Sequence, residues 1–349
     1  DGWISSEGPQ VREFEKQFSS LVGKKFGVAV SSGTAAIDIA LEALGVGPGD
    51  EVILPSFTIV SCLNHLLRVG AKPIFIDALP DTWNLDPIAV EKALSPRTKA
   101  IIVVHLYGLP ADIDIVMDIA SSRGIRVIED AAEAHGQHLD GRPLGSYGDI
   151  STFSFYANKL ITTGEGGMFL TDDEGLARRA QSLRNLAFRA EKRFVHDEIG
   201  WNYRLTAMQA ALGISQIARI DELLAYKKDV GERYQRLLAN VDGIELAAPE
   251  HRGSTNVYWV FGVVLRGSVR LTAKEAMAAL GGMGIGTRSF FYPLHKQPVL
   301  DQFGFADQRP LPVSENLGER GFYIPNGANL KPKDLERVAE SLSSVLSGH

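Results

Sequence analysis

Lys159 stands between the apolar run Ser151-Thr-Phe-Ser-Phe-Tyr-Ala-Asn158 and the glycine-rich turn Leu160-Ile-Thr-Thr-Gly-Glu-Gly-Gly167. An ammonium on a flexible stem normally seeks water, yet Phe153, Phe155, Tyr156, Leu160 and Ile161 flank this one. Partial burial lowers an amine's pKa and makes it nucleophilic towards carbonyls, the requirement for a Schiff base. A surface lysine laying its stem on apolar neighbours shows the same local sequence, so corroboration must come from elsewhere in the chain.

Two other stretches supply it. Val28-Ala-Val-Ser-Ser-Gly33-Thr34-Ala-Ala reads as a strand followed by small residues that open a helix. Free N–H groups at a helix start, beside a glycine that admits close approach, suit a phosphate; an ordinary capped turn has the same composition. Val127-Ile-Glu-Asp130-Ala-Ala-Glu133-Ala-His135 ends an apolar strand on a carboxylate. In open parallel sheets ligands sit at that end, so Asp130 can pair with a protonated ring nitrogen; a helix cap or salt-bridged turn is the plainer alternative, and His135 reads as structural. A lysine for an imine, a phosphate cradle and an acid for a pyridinium are together what pyridoxal phosphate needs.

The elements that must position these residues alternate. Strand-like Phe26–Val30, Glu51–Leu54, Pro73–Asp77, Ala100–Leu106, Arg126–Glu129, Ile150–Phe155 and Gly167–Thr171 are interleaved with helix-like Thr34–Leu44, Thr58–Val69, Pro87–Leu94 and Ile113–Ser122. Such alternation implies crossover connections and an α/β domain with a largely parallel sheet. The pattern turns helical from Leu205 through Leu238, and beyond Gly243 come strand-like Val257–Leu265 and helix-like Ala273–Met283 and Lys333–Leu346. A large domain over residues 1–222 and a smaller C-terminal α+β domain over 223–349 are expected, as the length of 349 residues suggests.

The net charge of −6 argues against general nucleic-acid or membrane-surface binding. Cys62 is the single cysteine, so no intrachain disulfide forms and a reducing compartment is the natural setting. No run has the length of a transmembrane helix, and Asp1-Gly-Trp-Ile-Ser-Ser lacks a signal-peptide pattern; the cytoplasm is expected. Gly45-Val-Gly-Pro-Gly49 has the wrong order and spacing for a dinucleotide fingerprint. Asp112, Asp114 and Asp118 lack the glycine and terminal glutamate of a calcium loop, and no metal is expected.

Ser31-Ser-Gly-Thr34, Glu51-Val-Ile-Leu-Pro-Ser-Phe-Thr58, His105-Leu-Tyr-Gly108, Ile128-Glu-Asp-Ala-Ala-Glu133, Ser154-Phe-Tyr-Ala-Asn-Lys159 with Thr162-Thr-Gly-Glu-Gly-Gly167, and Gly200-Trp-Asn-Tyr-Arg-Leu-Thr-Ala-Met-Gln-Ala-Ala-Leu-Gly213 occur in this order. Over nearly its whole length the chain thereby resembles the DegT/DnrJ/EryC1/StrS sugar aminotransferases. The resemblance implies a fold type I, aspartate-aminotransferase-like homodimer with shared active sites and pyridoxal 5'-phosphate on Lys159. It implies that Asp130 meets the pyridine nitrogen, that Glu133 approaches the ring's phenolic oxygen, and that Gly33, Thr34 and Ser154 hold the phosphate with Asn202 from the other subunit. Arg204, in the same motif as Asn202, is expected near the site.

One position departs from the family pattern. The residue after Pro55-Ser-Phe-Thr58 is usually an aromatic that stacks on the cofactor; here it is Ile59. An aliphatic cover excludes water but forfeits about 0.5–1.5 kcal/mol of stacking, and Phe57 compensates only if the loop rotates. For substrate the resemblance implies a nucleotide-linked 4-keto-6-deoxysugar and glutamate as amino donor. The wording of Tyr156–Met168 and Glu129–Glu133 reads closer to branches acting on GDP-4-keto-6-deoxy-mannose than to UDP-sugar branches. Arg184, Arg189, Lys192 and Arg193 form a basic cluster suited to a diphosphate, or equally a solvated loop. His295, in Phe290-Phe-Tyr-Pro-Leu-His295, and Trp3 match family segments that line the sugar-nucleotide pocket. A UDP-4-keto-sugar aminotransferase and a non-catalytic cofactor-binding regulator are the rival readings; a dehydratase branch, with histidine in place of the lysine, is disfavoured by Lys159.

Overall fold

A computed structural model describes residues 2–189, 191–306, 309–327 and 329–347. Seven strands form the main sheet: β1 (Phe26–Val30), β2 (Glu51–Pro55), β3 (Lys72–Ile76), β4 (Thr98–Val104), β5 (Arg126–Asp130), β6 (Ile150–Ser154) and β7 (Gly167–Thr171). Their order across the sheet is β1-β7-β6-β5-β4-β2-β3. Only β7 runs against its neighbours; β2 to β6 pair in parallel. Val52, Ile53, Leu54, Ile101, Ile102, Val127 and Ile128 are fully buried because helices cover both faces, as a parallel sheet requires.

Helices α1 (Pro9–Val22), α2 (Gly33–Ala43), α3 (Ser61–Val69), α4 (Pro87–Ala93), α5 (Ile113–Ser121), α6 (Glu174–Leu183), α7 (Ala207–Ile217) and α8 (Ile220–Leu238) surround it. Helix α1 is not among the elements expected above, although Val11, Phe14, Phe18 and Val22 recur at helical spacing and form its buried face. Pro9 sits at the helix start and Gly23 ends it at φ 83°, with its N–H on Ser19 and Ser20 carbonyls. The helical stretch expected from Leu205 to Leu238 is two helices, and the expected boundary after residue 222 falls inside α8.

A second sheet of four antiparallel strands, β8 (Ile244–Leu246), β9 (Phe261–Leu265), β10 (Arg288–Ser289) and β11 (Gly321–Ile324), runs in the order β8-β9-β11-β10. It packs with Val230, Tyr234 and Leu238 of α8 and with Leu335, Val338 and Leu342 of the helix Pro332–Ser347 in a core of its own. Two expected elements are shorter than their apolar runs. Helix α3 begins at Ser61, leaving Thr58 to Val60 in a turn. Strand β9 begins at Phe261, because Tyr258 takes φ 47° and its N–H bonds to Asn256 Oδ1 at 2.7 Å, turning the chain before the sheet.

Candidate active site

Parallel pairing brings the carboxyl ends of β5 and β6 to one rim, and β1, antiparallel to the reversed strand β7, ends at the same rim. Asp130 ends β5 opposite Thr152, and Gly167 lies opposite both Ser154 and Val30. Only glycine fits at 167, where a Cβ would meet the Ser32 carbonyl oxygen at 2.3 Å. The chain leaving β1 enters α2, capped by Ser32, whose hydroxyl accepts from the Ala35 N–H. The Gly33 and Thr34 N–H groups are therefore the first of the helix, where no intrahelical acceptor exists. A Cβ on Gly33 would come within 2.8 Å of the Ser154 Cβ, so any side chain there would fill the space between helix start and β6. Thr34 and Ser61 share a hydroxyl hydrogen bond of 2.7 Å at its edge.

Asp130 accepts from the Ala132 N–H at 3.1 Å and, more weakly, from the Thr152 hydroxyl at 3.4 Å and the Cys62 thiol at 3.7 Å. Burial raises its pKa, against the pull of the Ala132 N–H and the Lys159 charge. Glu133 is fixed by the Tyr107 N–H at 2.8 Å and stands 3.7 Å from Lys159 Nζ. Burial pushes its pKa up to about 7, with Lys159 opposing. The Lys159 side chain is 10% exposed; burial lowers its pKa, while Glu133 and Asp130 raise it. His135 is held neutral, its pKa pushed down to about 3 first by burial and then by Lys159, and its Nδ1 accepts from the Ile161 N–H at 3.2 Å.

These residues fit pyridoxal phosphate. A buried carboxylate poor in donors awaits a cation, a desolvated lysine stands beside it, and a cradle emptied of side-chain atoms lies at a helix N-terminus.

Other expected site residues lie elsewhere. Ile59 is 40% exposed in the turn before α3, whereas Phe57 is locked against Tyr107, Phe290 and Phe291. Asn202 is exposed and bridges to Asn185, on a segment whose Tyr203 carbonyl accepts from the Ser31 N–H at 2.8 Å. Trp3, Arg184 and Arg204 line a separate cavity of about 560 Å³ with Arg12, Glu15 and Asn185, and neither Lys159 nor Asp130 reaches its walls.

The basic cluster is dispersed. Arg184 turns inward to Glu15 and the Ala29 carbonyl, Arg189 pairs with Asp197 at 3.1 Å, and Arg193 stands 3.9 Å from Glu7. Lys192 is exposed. His295 does not present a free ring as expected of a substrate contact. Its side chain is buried, with Nδ1 at 2.6 Å from Ser56 Oγ and Nε2 at 3.1 Å from Glu315 Oε1.

Sequence reasoning missed Trp259, whose ring centroid lies 3.5 Å from Lys159 Nζ, and Lys227, whose buried ammonium donates to the Trp259 carbonyl at 3.0 Å. No local signal marks either, since both reach the site from segments distant in sequence.

A mostly parallel sheet with a buried lysine, two carboxylates and an anion cradle at its carboxyl rim defines a cofactor-dependent enzyme of the fold type I class. The chain belongs to the DegT/DnrJ/EryC1/StrS aminotransferase family, which it matches over residues 1–343. It is 40% identical over 346 residues to the GDP-perosamine synthase of Caulobacter vibrioides, covering 99% of this chain and 92% of the relative. It is 37% identical over 346 residues to the UDP-N-acetyl-3-dehydro-alpha-D-glucosamine 3-aminotransferase of Acidithiobacillus ferrooxidans, covering 98% and 90%. The crystal structure of S. venezuelae DesV in complex with a ketimine intermediate superposes with a TM-score of 0.90 at 34% identity, covering 99% of this chain and 91% of that one. The protein is a pyridoxal-phosphate-dependent sugar aminotransferase, which removes the regulator without turnover from consideration. Among the described residues no helix is long and apolar enough to cross a membrane.

Proposed function

We propose that the enzyme transfers the amino group of glutamate to the 4-keto group of GDP-4-keto-6-deoxy-mannose, giving GDP-perosamine. The observation that carries this reading is the 40% identity, over 99% of the chain, to the Caulobacter vibrioides GDP-perosamine synthase. When bound, pyridoxal phosphate supplies an aldehyde that takes up an amine and a cationic ring that accepts the electron pair left by a departing proton.

The chain's own residues do the rest. Lys159 holds and releases that proton at Nζ, its lowered pKa bringing amine and ammonium closer in energy near neutral pH. Asp130, buried and short of donors, keeps a ring nitrogen protonated. Glu133, held by the Tyr107 N–H, lies beside Nζ as counter-charge. The Gly33 and Thr34 N–H groups, with Ser154, bind the phosphate at the positive end of α2. Asn202, exposed beyond the sheet edge, completes the neighbouring subunit's cradle in a homodimer. Residues 1–222 form the cofactor-binding domain and 223–349 the smaller one, with α8 joining them.

A UDP-linked keto sugar is the second reading, favoured by the 37% identity to the Acidithiobacillus ferrooxidans enzyme. Side-by-side kcat/KM for GDP-4-keto-6-deoxy-mannose and a UDP-4-keto sugar decides, because a site built to pair one base discriminates steeply against another. A higher value for the UDP sugar overturns the GDP assignment and leaves the aminotransferase chemistry in place.

A further inference from the structure

Trp259 is held over Lys159 by three of its polar groups. Its N–H donates to the Tyr107 carbonyl at 3.1 Å, its carbonyl accepts from Lys227 Nζ at 3.0 Å, and its indole N–H donates to the Asn158 carbonyl at 2.9 Å. Each partner is tied to the site or to the neighbouring lobe. The Tyr107 N–H holds Glu133, Lys227 also donates to the Asn326 carbonyl at 2.8 Å, and Asn158 precedes Lys159. The indole is thus fixed relative to the lysine, with Nζ 3.5 Å from the ring centroid. A ring face attracts an ammonium, most strongly where water is excluded, and has no such hold on a neutral amine.

We infer that Trp259 is a positioning residue that holds the free Lys159 ammonium on its ring face whenever the lysine is not bonded to the cofactor, and thereby sets how readily the lysine takes the cofactor up. Uptake requires the neutral amine. Its nitrogen adds to the aldehyde carbon, the carbon–oxygen bond breaks, and the amine's two protons, relayed through solvent, end on the departing oxygen, which leaves as water. A contact that favours the ammonium therefore delays uptake until higher pH.

The charged groups facing Lys159 come from several elements. Glu133 and Asp130 lie beyond the end of β5 and at it, His135 is neutral, and Lys227 on α8 shares with Glu133 and Trp259 the lining of a narrow cleft. Burial pushes the Lys227 pKa down to about 7. All four remain when Trp259 is replaced, so a substitution isolates the ring. The inference rests on Lys159 being the cofactor-bearing lysine, and it is independent of the sugar.

The test uses the full chain freed of cofactor, with pyridoxal phosphate uptake followed by absorbance across a pH series. Wild type, Trp259→Phe, Trp259→Leu and Lys159→Ala are compared after circular dichroism confirms that each is folded. The expected result is an uptake midpoint lowered by roughly one pH unit in Trp259→Leu, with Trp259→Phe between it and wild type. A midpoint unchanged or raised in both Trp259 variants overturns the inference, since the ring would then act only as a cover. Equal uptake spectra for Lys159→Ala and wild type would overturn the assignment of Lys159 itself, a separate failure.

Discussion

The two sides of β5 carry neighbouring carboxylates with opposite fates. Glu129 and Asp130 are adjacent, so the strand's alternation sends them to opposite faces of the sheet. Behind the sheet, Glu129 accepts from His105 Nε2 at 2.9 Å and from the N–H groups of Gly145, Tyr147 and Gly148. The Ala111 N–H bonds to His105 Nδ1 at 3.0 Å, which places the ring proton on Nε2, facing Glu129. Burial alone would raise the Glu129 pKa, but His105 and the Gly148 and Gly145 N–H groups bring it below the usual carboxylate range. In front, Asp130 has fewer and longer hydrogen bonds, and burial wins. A carboxylate saturated by its own chain holds the fold together; one left wanting is available to a ligand.

The largest effect is expected at Lys159, in front of the sheet. In the mechanism proposed, Lys159→Ala removes both anchor and proton carrier, and it should cut turnover by roughly 10²–10⁴-fold or more, with the fold intact by circular dichroism. Near-normal turnover under saturating cofactor would remove Lys159 from its role. Asp130→Asn comes next, because an amide cannot stabilise a cationic ring nitrogen. It should raise the barrier by up to about 3 kcal/mol, roughly 150-fold in rate, with cofactor retention less affected. An unchanged rate would put Asp130 on the same footing as Glu129.

The complementary change acts behind the sheet. Glu129→Gln turns an NH₂ group towards one pair of N–H donors, leaving buried groups unpaired at a cost of about 2 kcal/mol in stability. Its pH dependence has a definite sign. A carboxyl with a lowered folded-state pKa contributes stability above its unfolded value, and that contribution is lost as pH falls through the folded one. The variant should therefore show a weaker loss of stability on the acid side, with kcat near that of wild type. Denaturant melts across pH check the first, steady-state kinetics the second. A large fall in kcat with unchanged stability would break the contrast between the two faces.

What was legible in the sequence follows the same division. The places of Lys159, Asp130 and the Gly33–Thr34 turn in the fold could be read because each depends on a strand and the few residues after it. Residues whose roles depend on distant partners could not. Arg184 looks like part of a basic cluster, but its charge is directed to Glu15 on α1, a helix that is not among the expected elements. His295 sits in a family-like segment, yet Ser56 and Glu315 occupy both ring nitrogens. Trp259 lies inside an apolar run that promises a strand, but the Tyr258 N–H donates to Asn256 Oδ1 in a turn before the sheet, and the indole stands over Lys159 instead. The alternation of strands and helices was recoverable from periodicity; the order of the strands in the sheet, the start of β9 at Phe261 and the partners of the exposed cations were not.

The smallest expected effect is at Ile59, and it tests whether the front of the sheet is open to improvement. Phe57 cannot supply the missing aromatic without leaving Tyr107 and Phe290, whose ring centroids lie 6.0 and 5.7 Å away. Ile59, already 40% exposed in the turn, can change size without disturbing a packed core. Ile59→Tyr should therefore tighten pyridoxal phosphate binding by up to roughly 1 kcal/mol, about fivefold in Kd, and leave the denaturation midpoint of the cofactor-free chain where it was. Equilibrium titration by cofactor absorbance measures the first and urea melts the second. Weaker binding in a well-folded variant would show that position 59 does not face the ring, and that the front of the sheet gains its hold on the cofactor from Lys159, the cradle and the two carboxylates, with no stacking from this position.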